Sequence, residues 1–234
     1  MLPKGILFDL DDTILAFGAA GDETWRSLCN EYAGRCALDA KQLLDAFREV
    51  ADWYWSDEER HRHGRLNLNA TRRRIVRLAF EKLGIANPAL ADEIADAFSV
   101  RRVEAIRFFP RAEETLRRLL EHGVAMALMT NGEAITQRAK VERFGLVRFF
   151  KTILIEGELG FGKPHPDVYR RALDDLGLDP RDVWSVGDNL RWDVAGPQAL
   201  GVFGIWHDWR GEGLPPDTDI RPDRTIRSIA ELIG

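Results

Sequence analysis

The chain has little of what would tie it to an oxidising compartment, a membrane or a nucleic acid. Its 234 residues include only two cysteines, Cys29 and Cys36. They stand seven apart on a helical stretch, with no second pair to complete a zinc site. They read as core or near-surface thiols, and a reducing cytoplasm is the expected location. No apolar run reaches about 18 residues, so no transmembrane helix is expected. The opening Met-Leu-Pro-Lys-Gly leads straight into the first apolar segment and lacks a signal-peptide pattern. Excess positive charge is missing too. A net charge of −5 argues against general nucleic-acid binding, which needs a basic face. Internal repeats and low-complexity tracts are absent. What the chain has is a hydrophobic content of 45%, enough for a sizeable core in one large or two small domains.

Residues 5 to 13, Gly-Ile-Leu-Phe-Asp-Leu-Asp-Asp-Thr, are the most informative segment. The apolar run Ile6 to Phe8 suits a buried parallel strand. It ends in Asp9, Asp11 and Asp12, where open α/β sheets bind ligands. If the extended chain persists, Asp9 and Asp11 share one side. Two such carboxylates can divide labour, one attacking or binding a metal and the other moving a proton.

Residues 17 to about 106 show no strand-like run. "DETWRSLCNEYAGRCAL" and "DAKQLLDAFREVADWYW" space their apolar residues by three or four, as helices do. "NATRRRIVRLAFEKLG" offers Asn69 or Thr71 as an N-cap and Gly84 as a stop. Asn87-Pro88 is a cap followed by a first-turn proline. A four- or five-helix insert is expected here, and Phe108-Phe109-Pro110 marks the return to the first domain.

From Pro110 the pattern alternates. Helices are expected at 111–122, 133–144 and 166–176 and from about 193. Strands are expected at 124–129, 151–155, 183–186 and 202–206. This alternation argues a parallel sheet with helices on both faces. Residues 210–224 read as loop and 227–233 as a short closing helix.

Three later segments carry chemistry. "ALMTNGE" ends an apolar run in Thr130-Asn131-Gly132. "GFGKPHPDVY" places Lys163 in a Gly- and Pro-rich loop before a helix. "VWSVGDNLRWD" ends a run in Gly187-Asp188, with Asp193 five residues later. A hydroxyl, an amide and backbone N–H groups near a helix start can cradle a phosphate. The bland alternatives are a plain strand-to-helix turn for Thr130–Gly132, a solvated loop lysine for Lys163 and a helix N-cap for Asp193.

In this order the four segments resemble the motifs of the haloacid dehalogenase (HAD) superfamily, whose members are mostly phosphatases. The resemblance spans nearly the whole chain, although residues 17 to 106 match only in length and helical character. It implies an α/β fold: a Rossmann-like parallel sheet core of order 3-2-1-4-5, formed by residues 1–16 and 107–234, with an α-helical cap domain, 17–106, inserted after the first motif. It implies a magnesium-dependent phosphatase acting on a small phosphorylated metabolite. Asp9 would be the nucleophile, Asp11 the acid and base, and Lys163 the fixed positive charge. Thr130 and Asn131 would hold the phosphate with Lys163. Asp9, Asp188 and the backbone carbonyl of Asp11 would bind Mg2+, an ion that suits oxygen donors. Asp193 would orient Lys163 or a metal water. His165 reads as a loop residue, Asp12 as structural and Thr13 as a support of the turn.

A 2-haloacid dehalogenase is the competing reading. Those enzymes carry an aromatic residue where this chain has Asp11, since halide leaves without a proton. A phosphosugar mutase shares the same acids. A silent binding protein is disfavoured, because unused buried charges are costly. In the insert, Trp53, Tyr54 and Trp55 could form a lid or pack inward, and Arg72-Arg73-Arg74 could be an anion site or a solvated face. Neither the substrate nor the oligomeric state is legible in the sequence.

Overall fold

Gly-Ile-Leu-Phe contains no polar side chain, and a strand with both faces covered requires that. In the computed structural model, which describes residues 2–233, it forms β1 (Gly5–Phe8), buried along its whole length. With β2 (Ala125–Thr130), β3 (Thr152–Ile155), β4 (Val183–Gly187), β5 (Phe203–His207) and β6 (Arg224–Ile226) it builds one parallel sheet. The order is β3-β2-β1-β4-β5-β6, so β1 lies between β2 and β4. Leu7 stands opposite Ala127 on one side and Ser185 on the other.

The expected order of five strands is present, extended by β6. Residues 210–224 were expected to be loop throughout, but Arg224 begins this short edge strand. Only Ile226 of its three residues is buried, too little apolar patterning to mark a strand.

By its internal packing the chain divides into two compact units, Met1–Ala16 with Phe108–Gly234, and Phe17–Arg107. The second unit consists of α1 (Phe17–Tyr32), α2 (Ala40–Ser56), α3 (Glu58–Gly64), α4 (Leu68–Lys82) and α5 (Pro88–Ala105). Arg107 falls within it rather than in the core, and its guanidinium donates to the carbonyls of Glu104 and Ile106. Asp39 starts α2 with a reciprocal capping box to Gln42, and Asn87 with Pro88 starts α5. The cap of α4 is Asn67, not Asn69 or Thr71. Its side chain accepts from Ala70 N, while the Thr71 hydroxyl donates to the Gly64 carbonyl.

Leu28, Leu43, Phe47, Val76, Phe80, Ile94 and Phe98 meet in the core of this unit, with both cysteines buried and unpaired among them. Trp25 stacks on Phe98 with ring centroids 3.9 Å apart. The aromatic cluster divides. Tyr54 is buried, Trp55 packs edge-on against it, and Trp53 is exposed beneath the Arg60 guanidinium. The arginine run divides as well, because Arg72 is buried over the Phe98 ring and Arg73 pairs with Asp96.

In the first unit the connecting helices are α6 (Ala112–Glu121), α7 (Ala134–Arg143), α8 (Glu156–Leu159) and α9 (Pro166–Leu176). Gly123, Gly145 and Gly177 follow α6, α7 and α9 in left-handed conformation, the stops read in the sequence. The helix expected from about 193 begins three residues earlier, as the π-helical stretch Leu190–Ala195, and runs into the single turn α10 (Gly196–Gln198). Asn189 caps it, so Asp193 is not the N-cap. The closing segment Ile229–Ile233 is a 3-10 turn. Among the described residues no helix is long and apolar enough to cross a membrane.

Phe98 lies at the centre of the helical unit, so Phe98→Ala should destabilise it by roughly 3–5 kcal/mol, the usual cost of removing a buried ring. Urea denaturation of the variant is the check, and a loss below about 1 kcal/mol would mean that the unit is not organised around this ring.

Candidate active site

Every acid read from the sequence lies past the carboxyl end of a strand in the first unit. Asp9 follows β1 and is buried, its backbone N–H donating to the Val186 carbonyl at 2.9 Å. Lys163 enters from the loop before α9 and is 1% exposed. Its Nζ donates to Asp9 Oδ1 at 2.6 Å and to Asp193 Oδ1 at 2.7 Å. Thr13 Oγ1 donates to the other Asp9 oxygen at 3.0 Å. The second oxygen of Asp193 accepts from Asn189 N at 3.0 Å. Asp193 therefore orients Lys163 and closes its own turn.

Local sequence makes this entry possible. A Cβ on Gly162 would stand 2.4 Å from Asn131 Oδ1, and one on Gly187 would stand 2.2 Å from Asp193 Cγ. Both positions need a residue without a side chain. Asn131, expected to offer its amide to phosphate, has both side-chain atoms committed elsewhere. Oδ1 accepts from Lys163 N at 2.8 Å, and Nδ2 donates to the Lys163 carbonyl at 2.6 Å. Its side chain is thus the clasp of the lysine loop. The buried Thr130 ends β2, and its hydroxyl oxygen accepts from Gln137 Nε2 at 2.5 Å.

Asp9 and Asp11 do not share one environment. Beyond Phe8 the strand ends, and Asp12 adopts a left-handed φ of 60°. The Asp11 carboxylate receives Lys140 Nζ on both oxygens, at 2.8 and 2.6 Å, and Gln137 Nε2 at 3.0 Å. Lys140 and Gln137, both buried on α7, were not singled out in the sequence. Their spacing of three places them on one helix face, a weak signal without the fold. Glu156 was missed too; buried, it accepts from Gly132 N at 2.9 Å and holds the turn after β2. His165 is an exposed loop residue whose Nδ1 accepts from Asp167 N, as expected.

One carboxylate oxygen each from Asp9, Asp188 and Asp193 lies within 4.8 Å of the others. Burial first, then Asp193 and Asp11, push Asp9 up to about 7, against the opposing pull of Lys163. Burial, then Asp9, Asp193 and Asp12, hold Asp188 well above the usual carboxylate range. For Lys163 burial acts downward, but Asp193 and Asp9 outweigh it and raise the ammonium above its ordinary value. Three acids thus face one cation. With Asp193 engaged by Lys163 and Asn189, the oxygens of Asp9 and Asp188 form a hard donor set that fits a divalent cation.

The strand-end acids and buried lysine define the class: a Rossmann-like hydrolase whose site lies along the carboxyl ends of parallel strands. The chain belongs to the haloacid dehalogenase-like hydrolase family, which it matches over residues 3–201. It is 34% identical to the phosphoserine phosphatase of Thermus thermophilus, over 98% of this chain and 97% of that protein. Among solved structures, the magnesium-bound HAD hydrolase YfnB of Bacillus subtilis superposes with a TM-score of 0.75 and 23% identity, over 99% of this chain and 97% of the other. A 2-haloacid dehalogenase from Pseudomonas syringae superposes with a TM-score of 0.61 and 27% identity, over 100% and 97%.

The raised carboxylates set a pH signature. Without a cation, folded Asp9 keeps a proton up to about pH 7, whereas its ordinary value is 3.8. Between these values the folded state holds the extra proton, so this acid's contribution to stability falls as pH rises. A cation that replaces the proton reverses the loss. Millimolar magnesium should therefore raise the thermal midpoint more at about pH 8 than at about pH 5. Equal shifts at both pH values in a melting assay would contradict this assignment.

Proposed function

We propose that this protein is a magnesium-dependent phosphatase that hydrolyses a small phosphorylated metabolite through an aspartyl-phosphate. The observation that carries the reading is Asp9, buried at the end of the central strand between the Lys163 ammonium and the Thr13 hydroxyl. Two hydrogen bonds hold the carboxyl group in place, and a bound cation would displace its proton, as a nucleophile requires. An Asp9 oxygen attacks phosphorus, a P–O bond forms, and the bond to the leaving alcohol breaks. Water then attacks phosphorus, returning the Asp9 carboxylate and releasing phosphate. Magnesium, held by the side chains of Asp9 and Asp188 and the backbone carbonyl of Asp11, would offset the repulsion between two anions. Lys163, positioned by Asp193, supplies a fixed charge beside the transferring group. The Thr130 hydroxyl and the backbone after β2 form the remaining phosphate contacts.

Asp11 supports phosphate ester over halide chemistry. An alkoxide needs a proton as it leaves, and Asp11 is the second acid of the loop. Its pairing with Lys140 and Gln137 means that it acts only after leaving those partners. The 34% identity to a phosphoserine phosphatase supports the same choice. Turnover on a panel of phosphorylated metabolites, with magnesium and after chelation, tests the reading. Halide release from 2-chloropropionate without any phosphate release would overturn it.

Asp9→Asn should lower turnover by roughly a thousandfold or more while the fold persists. A folded variant retaining more than a few per cent of the wild-type rate would remove Asp9 from the nucleophile's role. Asp11→Asn should lose far more rate on an alkyl phosphate than on p-nitrophenyl phosphate, whose leaving group needs little protonation. Steady-state kinetics on both esters decides this, and equal losses would count against Asp11 as the acid.

A further inference from the structure

One buried side chain near the site has no part in the chemistry above. His207 ends β5, a strand that carries none of the site acids, and is 1% exposed. Its Nδ1 lies 2.9 Å from the Asp12 carbonyl oxygen. A carbonyl only accepts, so Nδ1 must carry the proton. Nε2 is then a lone-pair acceptor, and it makes no hydrogen bond. Among the described residues it is the one buried side-chain nitrogen or oxygen without a partner. Burial lowers the imidazole's pKa and favours this neutral form, against smaller opposing effects of the Asp12 and Arg227 carbonyls and of Glu231 and Asp208. A core position filled only for packing would not need a histidine, since a buried acceptor left unpaired is costly.

The acceptor is the residue on which the catalytic turn pivots. Asp12 has the left-handed φ of 60°, uncommon outside glycine. Its own N–H donates to the Leu15 carbonyl at 2.7 Å, which closes the turn. On one side of it Thr13 bonds Asp9, and on the other Asp11 reaches Lys140. The orientation of the Asp12–Thr13 peptide therefore bears on both acids. The His207 ring is itself fixed, edge-on to Phe109 at 5.3 Å and 85°, and Phe109 N donates to the Ile14 carbonyl of the same turn.

We propose that His207 is a positioning residue for phosphoryl transfer: its Nδ1–H holds the Asp12 carbonyl and keeps Thr13 and Asp11 aimed. The proposal rests on the phosphatase reading above.

Three variants of the full chain test it, with p-nitrophenyl phosphate and magnesium. His207→Phe keeps the ring volume and removes the donor. Its kcat should fall roughly tenfold or more with KM within about threefold, as expected for a group misplaced without lost substrate contacts. His207→Asn places an amide N–H where Nδ1 stands and should restore kcat to within about threefold of wild type. His207→Gln carries its amide one carbon too far and should resemble the Phe variant. Circular dichroism establishes that each is folded. A folded Phe variant with kcat within about twofold of wild type, or an Asn variant no better than Phe, would overturn the proposal. So would an effect confined to KM. If the Phe variant does not fold, long-range 1H–15N correlation spectra of the wild type decide, since they must show the neutral Nδ1–H tautomer. An Nε2–H tautomer overturns the proposal without any variant. Failure of the underlying reading looks different: wild type would release no phosphate from any ester, whatever His207 does.

Discussion

Burying the Lys163 ammonium is the constraint around which the first unit is arranged. An isolated charge at that depth would cost several kcal/mol, so it needs carboxylates on two sides. Asp9 comes from the central strand, and Asp193 from the π-helical stretch that follows β4. Gly162 lets the lysine loop pass against Asn131, and Asn131 clamps that loop by both polar atoms. Gly187 leaves the space that the Asp193 carboxylate fills. Each of these residues is small or polar for a reason that traces to one cation. Removing Lys163 would leave three acids facing each other, whereas replacing a surface lysine would change almost nothing.

A second cation separates two acids that sit two residues apart. Asp9 belongs to Lys163 on a loop, and Asp11 belongs to Lys140 on α7. The left-handed Asp12 lies between them and turns one carboxylate away from the other. Adjacent acids in distinct surroundings are how one loop can hold a nucleophile and a proton carrier together. The pattern Asp-x-Asp specifies the residues, but the two lysines specify what each can do.

Much of this was legible in the sequence because strand ends announce themselves. A short apolar run stopping at Asp9, Thr130 or Asp188 marks both an element and a place where ligands gather, and the corresponding strands lie within about one residue of where periodicity put them. The order of strands came only with the family resemblance. Lys140, Gln137 and His207 were not legible, since Asp11 and Asp12, which they meet, lie more than a hundred residues away in the chain and no local pattern points to them. The Asn131 side chain has a use that no local pattern shows. Its amide could serve a phosphate or a backbone, and only the approach of the 162–163 loop decides. β6 was lost because three residues with one buried apolar side chain fall below any periodicity.

The central position of β1 also bears on the order of events during synthesis. Gly5 pairs with Ala125 and Val183, so the strand that carries Asp9 must wait for more than half of the chain before it finds either neighbour. The helical unit is continuous from Phe17 to Arg107 and contains its own core. It is fully translated before β2 exists. Local helix–helix contacts close quickly, whereas distant strand pairing is slow. On the ribosome the insert can therefore condense first and shorten the effective distance between β1 and β2, turning what looks like an interruption of the core into an aid to its assembly.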